Sequence, residues 1–203
     1  MIWYIILTIV SFVICLAACL YHLYKLISLG KPKDFAEPAG NVGSAIVYSF
    51  TVGMSPKKKE SAFLHLPTYT AGIIYHIGTF VSIALFFIFL FDVNFGVQLN
   101  LVLAFLLTIS GFCGIGIFIK RMVKKELHSL SNPDDYISNI LVTGFQLITA
   151  YSLINFSPVY FVFASALLLY IPFGKLKHMI YFFAARYHLG FFYGNRGVWP
   201  PKA

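Results

Sequence analysis

Charge is what this sequence has least of. Only 11% of its 203 residues are Asp, Glu, Lys or Arg, and just seven are acidic. A soluble domain carries about 25% charged residues, so the polar surface that would wrap an ordinary globular core is missing. Cysteine is also scarce. Cys15, Cys19 and Cys113 all fall inside apolar runs, and no Cys-X-X-Cys pair occurs. That argues against an iron–sulfur cluster held by this chain alone. Cys15 and Cys19 share a helix face at i,i+4 and read as small packing residues.

What is abundant is apolar surface: 59% of the residues are hydrophobic and 18% aromatic, with a mean hydropathy of +0.81. Several runs reach the roughly 20 residues needed to cross a bilayer core. The pattern predicts an all-α membrane protein, a single domain over residues 1–203 with five transmembrane helices in one bundle. The spans are expected at about 2–24, 68–91, 97–119, 136–155 and 158–186, with a polar loop over 25–66. Met1-Ile2-Trp3-Tyr4 lacks the basic region and cleavage site of a secretory signal. The first span is therefore expected to be retained, with Trp3 and Tyr4 as interfacial anchors. Pro67 suits a first helical turn, and Pro172 with Gly174 predicts a kink in the fifth span. Residues 42–52 are too short to span and are expected along the membrane surface or against a partner.

The basic residues give the orientation. Six of the fifteen Lys and Arg lie between Lys25 and Lys59, four between Lys120 and Lys125, and five between Lys175 and Lys202. With five spans these regions share one side. The other side holds the N-terminus, residues 92–96 and the turn near Phe156, and has none. Positive residues favour the cytoplasmic side, so the N-terminus is expected outside and the C-terminus in the cytoplasm. The net charge of +8 is thus a topology signal and does not point to nucleic acid. Lys57-Lys58-Lys59 suits anionic headgroups of the lipid bilayer.

Six histidines remain to be placed. His76 sits deep in the apolar run that starts at Tyr69, where an ionisable side chain is costly and marks a functional site. It lies eight residues beyond Thr68, about 12 Å in from the cytoplasmic end of its helix. On a continuous fifth helix ending near Arg186, His178 lies about 12 Å from the same side. Two imidazoles at one level on antiparallel helices are what axial ligation of a b-type haem requires. The plainer alternative is that each bonds a backbone carbonyl or a hydroxyl within the bundle. Gly72, Gly78 and Gly174 would let a flat macrocycle approach the backbone, and glycine serves ordinary helix packing equally well.

Around that pair, Lys175, Lys177, Arg186 and Arg121 are candidate partners for haem propionates, and all four would equally anchor the basic side. His22, His65, Tyr69 and Tyr75 are candidate hydrogen-bonding contacts for a quinone head. His65 and His188 form a second pair near one level, open to a second haem or to a surface role. His128 lies in a polar loop.

Tyr75-His76-Ile77-Gly78 in the second span and Pro172-Phe173-Gly174-Lys175-Leu176-Lys177-His178 in the fifth resemble the cytochrome b (gamma) subunit of respiratory nitrate reductase. The likeness extends to the membrane subunits of heterodisulfide reductase and of the sulfite-reductase-associated membrane complex, and it covers most of the chain, to the tail Gly194-Asn195-Arg196-Gly197-Val198-Trp199-Pro200. The resemblance implies that His76 and His178 ligate the iron of the haem nearer the cytoplasm. Two-haem relatives carry another histidine about three turns further along the second helix and one about five turns earlier in the fifth. Those positions are Phe86 and Tyr160 here, so one inner haem b is expected and the outer one is not.

The expected function is electron transfer between membrane quinone and a cytoplasmic iron–sulfur protein resembling the heterodisulfide reductase catalytic subunit. In that role the chain is the quinone-linked electron-transfer subunit of an oxidoreductase in the inner membrane, and the catalytic subunit is a separate protein. The competing expectation is a cofactor-free membrane anchor or assembly subunit. A transporter built from paired broken helices finds no matching internal repeat.

Overall fold

The structure, a computed structural model, describes residues 3–29, 35, 37–55, 65–93 and 95–201. Those residues form helices α1 (Trp3–Leu29), α2 (Val42–Phe50), α3 (Leu66–Leu90), α4 (Val97–Val123), α5 (Lys125–Ser129), α6 (Pro133–Ile154), α7 (Val159–Tyr170) and α8 (His178–Asn195), with no strand among them. Helices α1, α3, α4 and α6 are each long and apolar enough to cross a membrane, and the broken stretch that starts at α7 makes a fifth if counted as one span. The protein is all-helical, membrane-embedded and multi-pass. The basic run Lys57-Lys58-Lys59 lies outside the described residues.

The chain divides into two compact units. The first contains α1 up to Cys15 and residues 67–176. Its core gathers Phe86, Val142, Phe145, Tyr160, Phe161, Ala164 and Leu167. Thr8 fastens α1 to α7 by donating to the Phe161 carbonyl at 3.1 Å and pairing with the Ser165 hydroxyl at 3.0 Å. In hydrocarbon such bonds have no competing water, and small polar residues act as interhelical glue.

The expected fifth helix, 158–186, is the element that differs. It is broken, and the kink is a full interruption: α7 ends at Tyr170, residues 171–174 turn, and a new helix starts at His178. Pro172 lacks an N–H and its ring clashes with the preceding turn. The amides of Phe173 and Gly174 both bond back to the Tyr170 carbonyl, at 3.1 and 2.9 Å. A Cβ on Gly174 would stand 2.3 Å from the Tyr170 ring, so only glycine lets that ring fold over the turn. The Tyr170 hydroxyl then bonds Asp134. At twelve residues, α7 is about 18 Å long, short of a bilayer core of about 30 Å.

Beside Asp134, Asp135 closes a capping box with Asn132 at the start of α6. Its carboxylate also pairs with Arg121 at 2.8 Å, at the end of α4, and with Lys175 just past the break. One nearly buried carboxylate therefore ties three parts of the first unit together.

The second unit contains residues 16–66 and 177–203. Helix α2 packs on α8 at close range, because Gly190 and Gly194 present bare backbone. A Cβ on Gly190 would stand 2.5 Å from the Ile46 Cα, and one on Gly194 2.6 Å from the Ala45 Cβ. Ser49 donates to the Arg186 carbonyl at 2.8 Å. Residues 42–50, expected on the membrane surface or against a partner, thus pack on α8 of their own chain. Helix α8 runs on to Asn195, and the Trp199 ring then lies tilted against Tyr193 at 4.7 Å.

Truncating Asp135 leaves two cations facing each other with no counter-charge. Asp135→Ala is expected to lower unfolding stability by about 3 kcal/mol. Lys175→Gln, at a side chain 51% exposed, is expected to cost under about 1 kcal/mol. Thermal unfolding in detergent compares the two; equal losses would contradict this account of the clasp.

Candidate functional site

The candidate site is built on one face of α3. Its helical spacing puts Thr68, Gly72 and His76 in register at i, i+4 and i+8. His76 is exposed, and its Nδ1 lies 2.6 Å from the Gly72 carbonyl oxygen. A carbonyl only accepts, so Nδ1 carries the proton and Nε2 holds the lone pair. A metal-binding histidine is prepared in this way, with the far nitrogen fixed by a backbone acceptor. A Cβ on Gly72 would meet nothing within 4 Å, so the surface beside the imidazole is open.

The neighbouring residue faces the other way. Tyr75 turns into the bundle, where its hydroxyl pairs with the Thr143 hydroxyl at 3.0 Å and donates to the Asn139 carbonyl at 3.3 Å. Gln146, fully buried, donates from Nε2 to the Tyr75 carbonyl at 3.0 Å and to the Thr79 hydroxyl at 2.8 Å. Ser110 donates to the Ile74 carbonyl at 3.0 Å. Asn139, Thr143 and Gln146 share one face of α6 at i, i+4 and i+7 and form, with these partners, a polar core inside the first unit. The Tyr75 hydroxyl, a candidate quinone contact, is committed to that core.

The other glycines expected beside a macrocycle are filled. A Cβ on Gly78 would overlap the Ser110 side chain, and Gly174 is covered by Tyr170. Phe86 and Tyr160, the two positions expected to stand where outer haem ligands would lie, meet in one core cluster. Phe86 packs against Phe12 and Phe87, and Tyr160 lies against Phe89 at 5.1 Å and stacks on Phe145 at 5.8 Å. That region of the unit is closed by aromatic side chains.

The cations sort in a way the sequence does not. Arg121 and Lys175, expected near propionates, are both committed to Asp135. Arg186 lies over the Phe182 ring at 5.7 Å. Lys120 instead reaches across from α4 to the Thr68 hydroxyl at the foot of the His76 face.

His178 belongs to the second unit, exposed at the first position of α8 and three residues past Lys175. Because the helix is interrupted before it, a depth counted at 1.5 Å per residue along a continuous fifth helix no longer applies to His178. His22, His65, Lys177, Arg186 and His188 also belong to the second unit, and Tyr69 and Tyr75 to the first. A shallow cleft lined by Cys19, Leu20, Leu23, Met179, Ile180 and Phe183 lies beside the start of α8. Its lining is wholly apolar and offers a quinone head no hydrogen bond.

Among the described residues no three His, Cys, Asp or Glu side chains gather as a metal-binding group. A haem iron draws its equatorial ligands from the macrocycle and asks the chain only for axial ones. The tautomer of His76 and the open surface at Gly72 fit that demand from one side.

No family model, curated protein or solved structure matches this chain.

Two features escaped the sequence reading. The polar face of α6 was visible as Asn139, Thr143 and Gln146 at helical spacing. The α2–α8 contact was visible as Gly190 and Gly194 on one side and Ala45 and Ser49 on the other, each pair four apart.

Because among the described residues His76 bonds only within its own helix turn, and is exposed, His76→Ala is expected to fold as the parent does, within about 0.5 kcal/mol. Thermal unfolding of cofactor-free protein tests this. A loss comparable to that of Asp135→Ala would make His76 a structural residue.

Proposed function

We propose that this chain is the cytochrome b subunit of a membrane redox complex of the bacterial or archaeal inner membrane. It carries one haem b on the inner side, with His76 and His178 as axial ligands of the iron. The observation that carries the reading is the His76 imidazole, exposed on a membrane helix with its Nδ1 proton held by the Gly72 carbonyl and its Nε2 lone pair available. The resemblance of the two histidine motifs supports His178 as the second ligand.

Haem, when bound, supplies the one-electron chemistry. The chain's residues set ligation, dielectric and access. In this reading the N-terminus is outside and the C-terminus cytoplasmic, five passes form the membrane domain, and the basic inner loops dock a cytoplasmic iron–sulfur partner. The chain transfers electrons between that partner and membrane quinone. His22, His65 and Tyr69 remain the quinone-contact candidates on the inner side; Tyr75 drops out because its hydroxyl is engaged. The packed Phe86 and Tyr160 core favours a second reading, a cofactor-free anchor or assembly subunit derived from such a protein.

A reduced-minus-oxidised spectrum of membranes from haem-replete cells separates the two. A haem b signal is expected from the parent chain and is expected to vanish in both His76→Ala and His178→Ala. No signal from the parent, or one that survives both substitutions, sinks the haem reading and leaves the anchor.

A further inference from the structure

We infer that Lys120 is the cation that receives the haem carboxylates, in place of Arg121 and Lys175, whose sequence positions suggested that role. The inference rests on the haem reading above. A carboxylate at the edge of a hydrocarbon region cannot stay unpaired, because a desolvated charge without a partner is strongly disfavoured. The chain must therefore offer a cation on the His76 face and at its inner end.

Arg121 and Lys175 do not meet that need, since both already serve Asp135, whose side chain is only 3% exposed. Drawing either away would strip a nearly buried carboxylate of its counter-charge. Lys120 is in a different position. Among the described residues its ammonium bonds the Thr68 hydroxyl and no carboxylate. An ammonium has three donors, so two remain for an incoming anion.

Lys120 is also on the right surface. Thr68, which holds it, stands two helical steps of four below His76, with Gly72 between them. On α4, Gly116 lies one such step from Lys120, and a Cβ there would meet nothing within 4 Å, as at Gly72. Two neighbouring helices thus present an imidazole at one end, an ammonium at the other, and bare backbone between. The eight residues from Thr68 to His76 span about 12 Å, a reach that the long lysine stem shortens from below. A plain structural role would explain a lysine at a membrane boundary. It would not explain its placement on the His76 stripe together with two open glycines.

The test uses the full-length, haem-loaded protein, with Lys120→Gln, Lys120→Arg, Thr68→Val and Lys175→Gln. The readouts are the midpoint potential and the rate of haem transfer to apomyoglobin. Lys120→Gln is expected to lower the potential, because removing a positive charge favours the ferric state. It should also speed haem loss about tenfold, the scale of one charge-assisted hydrogen bond. Lys120→Arg keeps both values near the parent's. Thr68→Val, which frees the cation without removing it, moves both in the same direction and less. Lys175→Gln leaves both unchanged. A parent-like potential and loss rate in Lys120→Gln, or a larger shift in Lys175→Gln, overturns the assignment to Lys120 while the haem stands. A parent chain without His76-dependent haem overturns the underlying reading and this inference with it.

Discussion

The first unit depends on the carboxylate of Asp135. It closes the start of α6 through Asn132, accepts Arg121 from the end of α4, and accepts Lys175 just beyond the break after α7. A charge so little exposed is tolerable only when paired and hydrogen-bonded, so each of those three segments is held by what Asp135 would lose without it. Asp134 adds a second hold on the same turn through Tyr170, whose ring covers Gly174. The interruption before His178 is thus a fastened structure with defined partners.

That clasp also sorts the cations at this end of the unit. Two are consumed in stabilising the fold, and Lys120 reaches from α4 to the Thr68 hydroxyl at the foot of the His76 face. Neighbours on α3 divide the same way. Tyr75 points inward and joins the Thr143, Asn139 and Gln146 network, whereas His76 points outward with one nitrogen free. Consecutive residues on a helix are rotated by about 100°, so a single turn supplies both the glue of the bundle and the candidate ligand. Separating these two tasks matters for the haem reading, because the ligand can be altered without opening the core.

The four long spans were legible because they are apolar over twenty or more residues, and their predicted limits lie within a few residues of α1, α3, α4 and α6. The fifth was not. Its hydropathy is continuous across Pro172 and Gly174, and a proline in a membrane helix is compatible with a kink or with a full break. What decides between them is tertiary: Tyr170 folding onto Gly174, and Asp134 and Asp135 waiting at the start of α6. Composition carries no trace of that arrangement. His76 was legible as a polar residue in an apolar run, but its tautomer and outward direction depend on the Gly72 carbonyl. The pairing of Arg121 and Lys175 with Asp135 was hidden for a related reason. Lys and Arg near a membrane boundary look alike in sequence, and only their partners separate a structural cation from an available one.

The aromatic core around Phe86 and Tyr160 bears on what a single inner haem would do. Phe86 is ten residues, about 15 Å, further along α3 than His76, and the space at that level is filled by Phe12, Phe87, Phe89 and Phe145. Fitting a second macrocycle there would mean removing several large buried side chains, each substitution of that kind costing about 3–5 kcal/mol. On the proposed reading, electron entry and exit therefore both take place in the inner half of the bilayer, close to the basic loops. Such a subunit exchanges electrons with quinone and its cytoplasmic partner on one side. On that same reading it gains no transmembrane charge separation from the electron path itself, because a packed phenylalanine and tyrosine occupy the level where a second haem would have to lie.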